Sequence, residues 1–160
     1  MAITKQQAAD LLRAYIETQT KATEAAIAQK QRETDEALRE TEAEISEKRA
    51  AAETDAKKAY SKAAVQALID RHAVTQTLAA LGMLRSGAAD AATEAVGTRK
   101  TVAEQRAATQ KRVVLSELSR RLQTARAQAS VKKESVAADA RKTLSGKIAE
   151  KTVSLNRAAV

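Results

Sequence analysis

The chain has 160 residues and a formal net charge of +8, and it contains no Pro, Cys, Phe or Trp. With no cysteine and one histidine, it lacks the residue types for a zinc site or a cysteine–histidine nucleophile pair. Hydrophobic residues reach 44%, but many of them are Ala and aromatic residues are 1%, so the composition does not supply the side chains of a compact globular core.

The first predicted helix covers residues 4–81. Thr4 is followed three residues later by Gln7, the capping-box pattern in which each residue satisfies a free backbone amide of the other. No Pro or Gly then occurs before Gly82, so nothing in this long stretch strongly opposes a helix. We therefore expect one uninterrupted helix.

A single break is predicted at residues 82–86. Gly82 is suited to the left-handed conformation that ends many helices. Ser86 can cap the following helix through its side chain, and Asp90 would then lie in the first turn, near the positive end of the helix dipole.

The second predicted helix covers residues 87–156 and leaves residues 157–160 as a frayed end. Gly97 and Gly146 lie inside it, each costing about 1 kcal/mol relative to Ala. The predicted fold class is all-α: residues 1–160 form one elongated unit, a hairpin of two very long helices. Because an Ala-rich seam buries little area, we expect the hairpin to assemble as an oligomeric bundle, ring or tube.

Two spacings of apolar residues support helices that associate along their length. Ile16, Ile27 and Leu38 recur every eleven residues, whereas the step from Leu38 to Ile45 is seven. Since strict heptads and strict eleven-residue repeats supercoil in opposite directions, the mixture predicts a nearly straight bundle. The residues predicted to pack the second arm against the first or against neighbouring copies are Leu115, Leu118 and Leu122.

Charge is distributed unevenly along the chain. Residues 1–98 carry 13 basic and 15 acidic side chains, whereas residues 99–160 carry 15 basic and 5 acidic ones. A hairpin closed near Leu84 places residue i opposite roughly residue 168−i, so the acidic segment 33–55 faces the basic segment 113–135. The same complementarity could operate between neighbouring subunits.

Five glutamates on the first helix admit a metal-binding interpretation, but carboxylate di-metal bundles use a Glu-x-x-His pattern on two helices. The only histidine, His72, has no Glu three residues before it. We therefore expect a solvated or arginine-paired face, and no metal, cofactor or enzymatic activity. The five are Glu33, Glu36, Glu40, Glu44 and Glu47.

Basic side chains on the second helix admit two interpretations. They could contact DNA phosphates without reading sequence, or they could form a solvated or intersubunit face. This half of the chain has no aromatic residue, so base stacking is not available to it. The candidate phosphate-facing residues are Arg120, Arg121, Arg126, Lys132, Lys133, Arg141, Lys142 and Lys147.

The most apolar segment, residues 78–84, lies at the predicted hairpin tip. It is too short to span a bilayer, which takes about 20 apolar residues. The tip could pack against a partner, line a pore constriction or touch a membrane, and partner packing is favoured. The N-terminus has no secretion-signal pattern, so we expect an intracellular product. The candidate tip residues are Val65, Leu68, Ile69, Leu78, Leu81, Gly82, Met83, Leu84 and Gly87.

The mid-chain sequence carries a family resemblance. Residues 60–64 (YSKAA), then 78–88 (LAALGMLRSGA), followed by a second long polar helix, resemble small helical virion proteins of tailed bacteriophages. The organisation is also similar to internal core or ejection proteins stored near the portal of short-tailed phages. The likeness covers about residues 60–125.

The resemblance implies a non-enzymatic virion protein, made in the host cytoplasm, that helps genome delivery. Its implied partners are copies of itself, portal, core or tail proteins, and packaged double-stranded DNA. Two alternatives remain open from the residues themselves: a sequence-independent DNA-binding helical protein and a cellular coiled-coil scaffold.

Overall fold

The computed structural model describes residues 4–159 and contains two helices. Helix α1 spans Lys5–Ala80, 76 residues, and helix α2 spans Gly87–Ala158, 72 residues. The predicted all-α class is confirmed. Helix α1 is one residue shorter at each end than the predicted range of about 4–81, and α2 ends two residues later than the predicted end near 156, with Arg157 in its last turn. Val160, the last residue of the predicted frayed end, lies outside the described residues, and so do Met1–Ile3.

The predicted capping box forms at the start of α1. The amide of Thr4 donates to Gln7 Oε1 at 3.0 Å, and the amide of Gln7 donates to Thr4 Oγ1 at 3.2 Å. Two backbone donors that the helix itself leaves free are thus satisfied reciprocally.

The predicted termination of α1 at Gly82 is also confirmed. Gly82 has a φ of 68°, the left-handed conformation. The amide of Met83 donates to the Leu78 carbonyl at 2.9 Å and the amide of Gly82 donates to the Ala79 carbonyl at 3.1 Å. These two bonds define a Schellman motif, which satisfies the last carbonyls of the helix and turns the chain away from its axis.

Ser86 precedes α2 as predicted, but the predicted side-chain cap is wrong. Its hydroxyl donates to the Met83 carbonyl at 2.7 Å, so it closes the connecting turn instead of accepting a bond from the new helix. The Ser86 carbonyl accepts the amide of Ala89 at 2.9 Å and begins α2. Asp90 lies in the first turn, as predicted.

The chain divides into two compact units, and each contains a segment of both helices. Unit 1 comprises Met1–Glu42 with Gln123–Val160, and unit 2 comprises Ala43–Leu122. Within each unit the α1 and α2 segments run antiparallel, because contacts that lie later on α1 lie earlier on α2.

The seam between the helices follows an eleven-residue period. On each helix, at least one series of positions eleven apart is protected from solvent at every step. Eleven residues make three turns at 3.67 residues per turn, which is close to the natural pitch of an α-helix. The α1 series is Leu12, Thr23, Thr34, Ile45, Ala56, Ala67 and Leu78, and the α2 series is Ala89, Lys100, Lys111, Leu122, Lys133, Leu144 and Leu155.

The core is thin. Four large hydrophobic residues are buried among those described, together with three alanines and Thr34, and no side chain described is completely enclosed. The hydroxyl of Thr34 donates to the Lys30 carbonyl at 2.8 Å, so its burial leaves no hydrogen-bonding group unsatisfied. The four large residues are Ile45, Val96, Leu118 and Leu155.

Candidate functional site

In unit 2, side chains of the two helices meet across the seam. Arg49 donates to Ser119 Oγ at 2.7 Å, and Lys111 Nζ lies 4.0 Å from Glu53 Oε1. The numbers of the first pair add up to 168 and those of the second to 164. The predicted register, in which residue i faces roughly residue 168−i, is therefore confirmed in this unit.

Unit 1 shows the same register. Arg126 Nη2 lies 2.8 Å from Glu42 Oε1, and Lys133 forms an ion pair with Asp35; the numbers of both pairs add up to 168. Lys151 Nζ also lies 5.6 Å from the centre of the Tyr15 ring, a cation–π distance.

The predicted charge complementarity of the two arms is realised by these cross-helix ion pairs. The side chain of Arg126 is 61% exposed, so water and salt screen its attraction to Glu42. Exposed pairs of this kind each contribute about 0–1 kcal/mol. They fix which residues of the two helices face each other more than they stabilise the fold.

Arg49 is a seam residue that the sequence reasoning missed. Its Nε atom is buried without a hydrogen-bond partner, while its terminal amino group donates to Ser119. Arg49 lies eleven residues after Leu38, so extending the series that begins at Ile16 and Ile27 would have found it. A buried polar group without a partner is costly, so this atom lowers the gain from the Arg49 contact.

The three leucines predicted to pack the arms lie on the seam. Leu118 is 6% exposed, and Leu115 and Leu122 are half-buried. Leu118 lies in a second protected series of α2, which also contains Val96 and Ala107, each eleven residues apart.

The predicted tip residues lie mostly on the surface of unit 2. Leu78 is half-buried on the seam, and Gly82 and Gly87 are exposed at the connection. The other six expose large apolar surfaces that no described residue covers. Their exposed fractions are Val65 55%, Leu68 67%, Ile69 56%, Leu81 65%, Met83 40% and Leu84 53%.

The predicted phosphate-facing residues differ in whether they form ion pairs. Arg126 and Lys133 pair across the seam, and Arg121 pairs with Glu117 of its own helix at 2.7 Å. Arg120 is exposed. The remaining four are exposed and form no ion pair with any described residue; they are Lys132, Arg141, Lys142 and Lys147.

A groove of about 320 Å³ opens along one side of the seam in unit 2. We call it the alanine groove, because its α1 wall is formed by Ala51, Ala52, Ala56 and Ala59, with Lys48 and Asp55 among them. Its α2 wall lies between Ala107 and Leu118. The sequence reasoning did not identify this groove, because alanine occurs throughout the chain and marks no position by its type.

Glu44, a carboxylate on α1, has a lowered pKa. A hydrogen bond from Lys48, together with the charge of that ammonium, holds the pKa of Glu44 below its ordinary value. Desolvation acts weakly in the opposite direction, and the positive charge of Arg121 adds to the lowering.

Within residues 4–159, no group of three or more histidine, cysteine or acidic side chains is arranged to hold a metal ion. His72 Nε2 lies 3.0 Å from the side-chain nitrogen of Gln76, one turn away on the same helix. Neither α1 nor α2 contains a stretch long and apolar enough to cross a membrane within the described part of the chain.

Comparisons with known protein families, with curated proteins and with solved structures found no match to this chain.

Proposed function

We propose that the chain is a non-enzymatic structural component that works by assembling with copies of itself, in a tailed-phage virion as an internal core, ejection or portal-associated protein. Self-assembly is supported mainly by the size of the solvent-exposed surface of the chain. The chain exposes 11923 Å², whereas a compact monomer of 17.1 kDa exposes about 7,800 Å². A standard protein interface takes about 800 Å² from each partner, so this surplus suffices for several interfaces.

The thin core supports the same proposal. Burial of apolar area is the main favourable term in folding, and four large buried side chains provide little of it. Six large apolar residues between Val65 and Leu84 are exposed as well. Contact with further copies would bury such surfaces and stabilise the helices. The virion placement rests on the sequence resemblance of residues 60–125, and portal, core or tail proteins are the partners that it implies.

The assembly part is tested by measuring the unfolding temperature at several protein concentrations, alongside sedimentation equilibrium. An assembling protein gains stability with concentration through mass action, so the unfolding temperature should rise across a hundred-fold range. A monomer at micromolar concentration with an unfolding temperature independent of concentration would refute the assembly. The virion placement is tested separately, by mass spectrometry of purified particles; absence of the chain from particles would refute it.

Sequence-independent DNA binding is the second candidate, and one observation favours it. Lys132, Arg141, Lys142 and Lys147 are exposed on α2 and form no ion pair among the described residues. Cations that are free of protein carboxylates can release counterions from DNA, which makes binding favourable and dependent on salt.

The DNA test compares two double variants that remove equal charge. Lys142→Gln with Lys147→Gln should weaken binding to a DNA duplex. The slope of log affinity against log salt concentration should become shallower by the amount that about two phosphate contacts contribute. Lys57→Gln with Lys62→Gln, two exposed lysines on α1, is the matched control. Equal loss in both double variants would mean that net charge, and not this surface of α2, attracts the DNA.

A further inference from the structure

The alanine groove carries charges of opposite sign in a self-complementary order. Along its α1 wall the sequence places Lys48, then Ala51 and Ala52, then Asp55. Residues 48 and 55 are seven apart, which is nearly two turns, so both project from one side of the helix. Two further alanines of the wall follow Asp55. A stretch of helix face on which a cation and an anion flank two alanines is complementary to a reversed copy of itself.

We propose that two copies of the chain pack through the alanine groove with their α1 helices antiparallel. The contact is centred between Ala51 and Ala52, so that Lys48 of each copy faces Asp55 of the other. This inference rests on the proposed assembly role, and it specifies an interface that the role requires.

The charges select the direction of the pairing. An antiparallel alignment brings two opposite charges together at each end, whereas a parallel alignment in register brings lysine to lysine and aspartate to aspartate. Complementary charges fix partner orientation, and like charges placed opposite each other exclude the alternative.

Both charged groups can reach a second copy. The side chains of Lys48 and Asp55 are 51% and 77% exposed. Lys48 pairs with Glu44 one turn away, and Lys58 Nζ lies 3.9 Å from the Asp55 carboxylate. These local pairs leave room for a further partner, because a carboxylate accepts several hydrogen bonds and an ammonium donates three.

The alanines provide the close approach. Interaxial distances between packed helices fall toward the lower end of the 8–10 Å range when the side chains at the contact are small. Ala51 is exposed and Ala52 is half-buried, so both are accessible to a second helix. Covering the groove removes apolar surface from water, and this burial supplies the affinity, while the two ion pairs determine direction and register.

A charge-swap series tests the pairing by sedimentation equilibrium. Lys48→Glu or Asp55→Lys alone replaces two attractions by two repulsions, and we expect roughly ten-fold weaker dimerisation. The double variant restores both attractions with signs exchanged and should return to within about three-fold of the parent protein. Lys57→Glu is the control for Lys48→Glu, because it makes the same change from a positive to a negative charge at an exposed α1 residue outside the groove. Circular dichroism establishes that each variant remains helical.

Cross-linking tests the register, and the chain has no cysteine to interfere. Under mild oxidation, Ala51→Cys should give a disulfide-linked dimer, because residue 51 lies within one residue of its counterpart. Ala50→Cys, its exposed neighbour outside the groove, should cross-link at least ten-fold less. Equal cross-linking at the two positions would overturn the proposal. A link between an Ala51→Cys chain and a Leu68→Cys chain would also overturn it, because the exposed apolar surface around Leu68, and not a second α1 groove, would then occupy the alanine groove.

The outcomes separate this interface from the broader proposal. Self-association that does not respond to the charge swaps refutes the antiparallel α1 contact and leaves assembly through another surface. A parent protein that stays monomeric at every concentration refutes both.

Discussion

Single residues determine where the helices begin and end. Thr4 and Gln7 satisfy each other's backbone amides, and Gly82 adopts the left-handed conformation that closes α1. These local signals could be predicted from the sequence because each depends on residues at most a few positions apart. Ser86 shows the limit, since its hydroxyl donates to the Met83 carbonyl of the turn instead of accepting an amide of α2. That choice depends on turn geometry, which residue type does not specify.

Gly82 provides a backbone test. An added Cβ would meet no atom within 4 Å, so Gly82→Ala acts only through the positive φ. We expect the free energy of unfolding to fall by about 1–2 kcal/mol, measured by urea denaturation at one protein concentration. Gly97→Ala is the matched control: it lies inside α2, also in open space, and should raise stability by about 0.5–1 kcal/mol. A stabilising Gly82→Ala would contradict the left-handed termination.

Glu44 provides an electrostatic test. Its pKa is lowered in the folded protein, so its contribution to stability is present above the ordinary glutamate range and is lost as pH falls through the folded value. Lys48→Met should raise the pKa of Glu44 toward its ordinary value, as followed by NMR titration of the carboxyl carbon. Lys58→Met, which removes a lysine three turns further along α1, should leave it unchanged. An unaltered Glu44 pKa in Lys48→Met would show that the pair does not form in solution.

At the scale of the helices, the seam is only partly visible in the sequence. Ile16, Ile27 and Leu38 reveal the eleven-residue period, but the same series continues through Arg49 and Tyr60, whose residue types do not suggest burial. The α1 series that runs from Leu12 to Leu78 passes through threonines and alanines. Residues of these types are protected because of their position relative to α2, and hydrophobicity alone does not identify them.

Leu118 tests the seam. It is 6% exposed, and Leu118→Ala should lower the free energy of unfolding by at least about 2 kcal/mol, since truncating a buried leucine loses transfer energy and leaves a cavity. Leu11 is 52% exposed, and Leu11→Ala should change stability by less than about 0.5 kcal/mol. Both are measured by urea denaturation at one fixed concentration. Equal effects would mean that the two leucines are equally solvated and that the seam does not protect Leu118.

At the scale of the whole molecule, the sequence predicted the two helices and their register but not the principal candidate surface. The position of the break near Leu84 was sufficient to place residue i opposite roughly residue 168−i, and the charges of the two arms are complementary in that register. The alanine groove could not be predicted from the sequence, because it is formed by the placement of α1 beside α2 within unit 2. Similarly, the structure was needed to show that Arg126 and Lys133 pair across the seam, whereas Lys132, Arg141, Lys142 and Lys147 form no ion pair with any described residue.

The eleven-residue period has a consequence for how chains of this architecture can change in length. Removing eleven residues from α1 and the facing eleven from α2 returns every remaining side chain to its original side of the helix. Removing nine from each would instead turn the downstream faces by roughly 160°, bringing charged side chains into the contact between the helices. Viable shorter or longer forms should therefore differ by matched blocks of three turns. Between the two helices, an insertion of any other length should be tolerated only in the connection between Ala80 and Gly87.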